Sequence, residues 1–221
     1  MDLNLKEVIE KIKDIDKVSK STLQIRLGVG FNKASLIYNQ LILEGYISKD
    51  GKVIKTKEDD GIKIIFLDID GVLNCRSTKD RCGQYIGIED GKVKLLKEIV
   101  DSCNAKLILV STWKENWYKD PRLKSKQDDL ANYLDEKLSK EGLVISDKTD
   151  DYHYLHRGDG ILEYLRHIQW LGISVSRYII IDDEIFDYIS TKMTKHLIST
   201  SFKDGLLPKH VKRAIKLLNG Q

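Results

Sequence analysis

The chain has 221 residues, with 37 lysines and arginines against 34 aspartates and glutamates, a net charge of +3. That balance excludes a nucleic-acid polycation, and 41% hydrophobic with 32% charged residues excludes global disorder. The longest strongly apolar runs, Ile64–Leu67, Leu107–Val110 and Tyr178–Ile181, are far shorter than the ~20 residues of a membrane-spanning helix.

The first 57 residues carry short helical patterns. Leu5, Val8, Ile9, Ile12 and Ile15 recur at helical spacing, with Asn4 and Glu7 as the start. A second helix is expected over Ser21–Leu27, ended by Gly28-Val29-Gly30, and a third over Asn32–Glu44 with Gly45 as its stop. Asp50-Gly51 between Tyr46–Ser48 and Val53–Lys55 predicts a hairpin. Three helices and a hairpin describe a winged helix-turn-helix over 1–57. Between Lys17 and Lys57 eight basic residues face two acidic ones, a local charge of +6. Such a surface is the footprint of phosphate contact; the alternative is a winged helix that makes protein contacts.

Thr56–Gly61 is polar and charged and marks a boundary. From 61 to 221, buried-strand runs alternate with amphipathic helices, which predicts an α/β domain with a parallel sheet. Strands are expected at Ile62–Asp68, Ala105–Val110, Leu143–Ser146, Arg177–Ile181 and Lys195–Ser199. Helices are expected over Gly91–Ser102, Gln127–Glu141, Gly158–Leu171 and Pro208–Leu218, with short strands around Tyr85–Ile88. Cys75, Cys82 and Cys103 form no Cys-x-x-Cys pair, which predicts reduced thiols in a cytoplasmic protein.

The strongest chemical signal is the end of the first strand, Phe66-Leu67-Asp68-Ile69-Asp70-Gly71. Ligands bind beyond the carboxyl ends of strands in open α/β sheets, and spacing by two lets both carboxyls face one cleft. Gly71 permits a sharp exit of the backbone. Two close carboxylates repel, so one holds a proton near neutrality, which suits a nucleophile beside a general acid. A carboxylate attacking a phosphate also needs a divalent cation and a basic side chain. The second strand ends in Ser111-Thr112, hydroxyls suited to a phosphoryl oxygen. Arg157 opens a helix, and Asp182-Asp183-Glu184 end the fourth strand with carboxylates suited to Mg²⁺.

These four segments, in this order, resemble the haloacid dehalogenase (HAD) superfamily over about Ile62–Leu218, which implies a Rossmann-like parallel sheet and phosphatase chemistry. The resemblance makes Asp68 the nucleophile and Asp70 the acid and base, with its backbone carbonyl on Mg²⁺. Ser111, or Thr112, holds the phosphate, and Arg157 neutralises charge where most members use lysine. Asp182 and Asp183 complete the metal site. Gly71, Thr112 and Lys114 are the substrate-binding candidates. Asp70 argues against dehalogenation, whose enzymes lack that acid. The motifs Asp-Ile-Asp-Gly-Val-Leu-Asn, Ser-Thr-Trp-Lys and Arg-Gly-Asp-Gly-Ile-Leu, with Asp204-Gly205-Leu206, are most similar to HAD domains of Swiss Army Knife RNA repair proteins.

Val18–Ser35 resembles the gamma domain of FtsK-type DNA translocases, a winged helix that reads DNA. The start of that family's third helix maps to Asn32 and Lys33, where lysine replaces arginine and cannot make the same planar contact. Arg26, Asn32 and Lys33 are the DNA-binding candidates. Trp113, Trp117 and Tyr118 suit either base stacking or packing, and the basic run from Lys114 to Lys126 is either a solvated face or a polyanion-steering one.

The expectation is therefore Mg²⁺-dependent phosphomonoester hydrolysis with a minimal cap. Nucleic-acid ends or nucleotides are the expected phosphorylated substrates, DNA the partner of the first module, and no membrane is involved. The alternatives are a DNA-binding regulator with a non-hydrolytic sensing domain, and a small-metabolite phosphatase with a dimerising winged helix.

Overall fold

A computed structural model of the chain describes residues 5–12, 14–43, 46–53, 61–150 and 156–220. The chain divides into two compact units, Met1–Asp59 and Asp60–Gln221.

The first unit contains α1 (Leu5–Glu10), α2 (Lys20–Leu27) and α3 (Phe31–Leu43). Ser19 and Thr22 form a capping box at the start of α2, and Gly28 closes it in the left-handed conformation at φ 64°. Val8, Ile12, Val18, Leu23, Ala34, Leu41 and Ile47 make its core. Helix α1 is shorter than the apolar spacing to Ile15 predicts, because the chain beyond it turns to pair with the segment after Gly51. Lys17 bridges Lys52, Ile47 bridges Val53, and Val18 N donates to Gly51 O at 2.7 Å. The expected hairpin is thus reduced to isolated bridges among three segments. Gly51 (φ 81°) has no room for a side chain, since a Cβ would lie 2.2 Å from Val18 O. The expected start at Asn4, the stop at Glu44-Gly45, Ile54–Lys55 and most of the Thr56–Gly61 boundary lie outside the described residues.

In the second unit, β1 (Ile62–Leu67), β4 (Ala105–Leu109), β5 (Ile145–Lys148), β6 (Val175–Asp182) and β7 (Leu197–Ser199) form a parallel sheet in the order β5-β4-β1-β6-β7. A small hairpin pairs β2 (Arg81–Cys82) with β3 (Tyr85–Ile86). The strands are buried on both faces, which explains their continuous apolar runs. Along β1, Ile65 and Leu67 face a core shared with α4 (Asp90–Cys103), α5 (Asp129–Ser139) and α7 (Pro208–Leu218). Ile64 and Phe66 face the opposite core, which holds Ile161 and Ile168 of α6 (Arg157–Trp170). The result is a three-layer, Rossmann-like α/β fold.

Strand order reverses at β1, which pairs with β4 on one side and β6 on the other. That switch point places the ends of β1 and β6 at one crevice. Strand β5 begins two residues later than expected. Gly142 (φ 72°) turns the chain, and Leu143 N closes on Leu138 O at 3.0 Å, so Leu143 belongs to the end of α5. Likewise Lys195 and His196 form a 3-10 turn ahead of β7. The three cysteines are free thiols. No helix among the described residues is long and apolar enough to cross a membrane.

Candidate active site

Asp68 extends the pairing of β1, its N–H donating to Ile181 O at 3.0 Å, and Asp182 is the last residue of β6. Both are almost fully buried, at 2% and 0% exposure. Asp68, Asp182 and Asp183 each offer a carboxylate oxygen within 4.8 Å of the others. Asp183 lies over the Asp68–Gly71 loop: a Cβ on Gly71 would stand 2.3 Å from its carboxyl carbon, and Gly71 also has φ 70°. Glycine is therefore required there for space and for conformation.

The cluster is short of positive charge. Burial, then the neighbouring Asp182, push the Asp68 carboxyl up from its ordinary value; Arg157 and the Ser111 hydroxyl pull the other way. Burial, Asp182 and Glu184 also raise Asp183. Asp68 Oδ1 receives no aligned hydrogen bond, although Arg157 Nη1 stands 3.1 Å away. A cluster of hard oxygen donors including an orphaned buried oxygen fits Mg²⁺.

Arg157, the first residue of α6, is the cation that the structure supplies. Its Nη1 donates to Asp182 Oδ2 at 2.7 Å while touching Asp68, and Nε lies 3.6 Å from Asp187 Oδ2. Although burial opposes its charge, Asp68 and Asp182 more than offset this and hold the guanidinium protonated. Asp182 also accepts the Tyr188 hydroxyl on Oδ2 and Glu184 N on Oδ1 at 2.9 Å. Asp183 has no hydrogen bond or ion pair from any described side chain.

The Asp70 carboxylate is held apart from the three clustered ones. Asn74 Nδ2 donates to its Oδ1 at 2.7 Å, and Trp113 Nε1 donates to its Oδ2 at 2.9 Å. Asn74 is itself fixed, accepting from Gly71 N at 3.0 Å and donating to Ile86 O at 3.3 Å. Sequence reasoning missed Asn74, Tyr188 and Asp187, and weighed Trp113 only for stacking or packing. Asn74 stands four residues after Asp70 in the same motif, which is a local signal; Tyr188 had none.

Ser111 is fully buried at the end of β4, where it caps the 3-10 turn Thr112–Lys114, and Thr112 is exposed beside it. Lys114 does not stand open to a substrate. It is 4% exposed, its Nζ donates to Thr149 Oγ1 at 3.0 Å, and Lys148 Nζ donates to its carbonyl at 2.7 Å. The basic run beyond it is also largely compensated. Lys119 pairs with Asp147 at 2.7 Å, Arg122 with Asp120 at 2.6 Å and Lys124 with Asp135 at 2.6 Å. Trp117 is packed, with Nε1 on Asp135 Oδ1 at 2.9 Å and Lys124 over its ring at 4.5 Å. In the first unit, Asn32 and Lys33 are exposed on the first turn of α3. Arg26 is tied bidentately to Asp14, at 3.2 and 3.0 Å, which engages its fork within the unit.

The model of the HAD domain in Swiss Army Knife RNA repair proteins matches residues 64–211. Neither the curated proteins nor the solved structures contain a match to this chain. HAD domains are generally phosphatase-type hydrolases and generally use Mg²⁺. With about two thirds of its length matched, from β1 to the start of α7, the chain belongs to the family of HAD domains found in Swiss Army Knife RNA repair proteins.

Proposed function

We propose that this chain is a Mg²⁺-dependent phosphomonoesterase acting through Asp68 on the phosphorylated ends of nucleic acids or on nucleotides. The observation that carries it is the burial of Asp68 between the Asp182–Asp183 pair and Arg157, with Asp70 oriented independently by Asn74 and Trp113.

Bound Mg²⁺, held by Asp68, the Asp70 carbonyl and Asp183 with Asp182 behind them, would supply the charge that lets a carboxylate approach a phosphate. The engagement of both Asp182 oxygens supports Asp183 as the more available of that pair. Asp68 attacks phosphorus as the bond to the leaving oxygen breaks, and Asp70 donates its proton to that oxygen. Asp70, now a carboxylate, takes a proton from water, which displaces Asp68 and releases inorganic phosphate. Arg157 offsets charge on the phosphoryl oxygens, and the Ser111 and Thr112 segment holds them.

The family's occurrence in RNA repair proteins supports a nucleic-acid end as substrate. So does the outer face of α3, where Asn32, Lys33, Asn39 and Gln40 are exposed; we read the first unit as a winged helix that contacts nucleic acid, DNA included. The same face exposes Leu36 and Leu43 at 71% and 85%. That observation favours, as a second reading, a first unit that pairs with protein while the second acts on small metabolites.

Phosphate release with and without Mg²⁺, on an aryl phosphate, nucleotides, and 5′- and 3′-phosphorylated DNA and RNA, tests the proposal. Asp68→Asn abolishes release with the fold intact. Turnover of nucleotides and ends that survives this substitution rejects Asp68 as nucleophile. Metal-dependent binding without release in the parent chain makes it a sensor.

A further inference from the structure

A cleft of about 390 Å³ lies far from the carboxylates, lined by Ser176, Arg177 and Tyr178 of β6, Lys195 and His196 of the turn before β7, and Leu217 of α7. Its volume is that of a small-ligand site, roughly 300–1,000 Å³. Tyr178 precedes Asp182 by four residues on one strand, a separation of about 13 Å along the chain.

Its aromatic pair and its unpartnered cations distinguish this cleft from ordinary charged surface. Tyr178 and His196 stack with ring centroids 4.1 Å apart and planes at 24°. Phe66 from the core packs edge-on against Tyr178, at 5.9 Å and 81°, and fixes the ring. Burial, then the charge of Lys195, hold the His196 pKa below its ordinary value, which favours the neutral ring. Arg177 and Lys195 are exposed and have no carboxylate partner among the described residues, unlike Lys119, Lys124 and Lys137 elsewhere in the unit. The Tyr178 hydroxyl likewise has no hydrogen-bond partner among the described residues.

Two uncompensated cations beside a fixed aromatic face match the two halves of a nucleotide, an anionic phosphate and a planar base. We propose that this cleft is a second, non-reacting nucleotide site, with Arg177 and Lys195 on the phosphate and the Tyr178–His196 stack against the base. It is separate from the phosphatase reading and does not depend on it. The nucleotide unit comes either from a free nucleotide or from within a strand.

Equilibrium dialysis of the full chain against AMP, adenosine, inorganic phosphate and a short 5′-phosphorylated oligoribonucleotide tests this, in parallel with the Arg177→Gln/Lys195→Gln chain. Both residues are exposed, so the double substitution leaves the fold intact, which an unchanged melting temperature confirms. The parent binds AMP about tenfold more tightly than adenosine or phosphate alone, because both halves contribute. The double variant loses one equivalent of AMP per chain, while aryl phosphate turnover is unchanged. Loss of oligonucleotide affinity in the variant, with no AMP bound at this cleft by either protein, assigns the unit to a strand. Equal binding of AMP and oligonucleotide by parent and variant overturns the proposal. A failed phosphatase reading shows separately, as no turnover by either protein, and leaves the dialysis readable.

Discussion

Trp113 Nε1 donates to Asp70 Oδ2 at 2.9 Å, so an indole buried at the end of β4 orients the carboxylate that follows β1. With Asn74 on the other oxygen at 2.7 Å, neither face of Asp70 is left to choose its own rotamer. A general acid must meet the leaving oxygen within hydrogen-bond reach, and geometry precedes pKa in deciding whether it can.

Trp113→Phe keeps the ring and removes the donor. The expected result is a fall in kcat of about ten- to a hundredfold with KM nearly unchanged, the mark of an interaction needed mainly in the transition state. The loss is greater for alkyl than for aryl phosphates, because an alkoxide needs the proton more than a phenolate does. Equal losses for both substrate types would show that Trp113 acts through packing alone.

Among the described residues Arg157 is the cation that bridges Asp68 and Asp182, at 3.1 and 2.7 Å, and its side chain is 20% exposed. Arg157→Gln leaves two buried carboxylates uncompensated. Breaking a buried pair in this way costs about 3–5 kcal/mol, toward the lower end here because of that exposure. Mg²⁺ restores part of the lost charge, so the variant gains more in melting temperature on adding Mg²⁺ than the parent does. A variant as stable as the parent without metal rejects the bridging role.

The parts that were legible in the sequence are those set by local periodicity. The central strands, the carboxylates at their ends and the glycine after Asp70 follow from apolar runs meeting Asp and Gly. The parts that were not legible are side-chain pairings between distant elements. Trp113 reaches Asp70 over 43 positions, and Lys119 meets Asp147 over 28. Both distances in sequence are closed only when β4 settles beside β1 and β5. A run of lysines therefore read as an open basic surface, and a tryptophan as a stacking or packing residue. Leu143 misled for another reason: its apolar side chain is buried whether it starts a strand or closes a helix, and only Gly142 decides between them.

Gly71 makes a sharper local test. Alanine at φ 70° costs about 1–2 kcal/mol from backbone strain alone. Its Cβ would also meet the Asp183 carboxylate at 2.3 Å and displace it from Asp68 and Asp182. Gly71→Ala is expected to remain folded and to lose most of the melting-temperature rise that Mg²⁺ gives the parent. A variant whose response to Mg²⁺ is unchanged would place Asp183 outside the metal site.

Asp135 braces the segment that follows the Thr112–Lys114 turn. It accepts from Trp117 Nε1 at 2.9 Å, Lys124 Nζ at 2.6 Å and Gln127 Nε2 at 3.0 Å. Burial raises its pKa, but Lys124, Gln127 and Trp117 together outweigh burial and leave it below the ordinary carboxylate value. A carboxyl whose folded pKa lies below its unfolded value of about 3.9 stabilises the fold above that pH, and the contribution disappears as pH falls through the folded pKa. Asp135→Asn is therefore expected to lose less stability than the parent between about pH 5 and pH 2, as read from denaturant midpoints. At neutral pH, Asp135→Ala leaves the buried Trp117 N–H without its acceptor and costs about 1–3 kcal/mol. An acid limb unchanged in Asp135→Asn would assign that limb to other carboxylates and leave Asp135 as a packing residue.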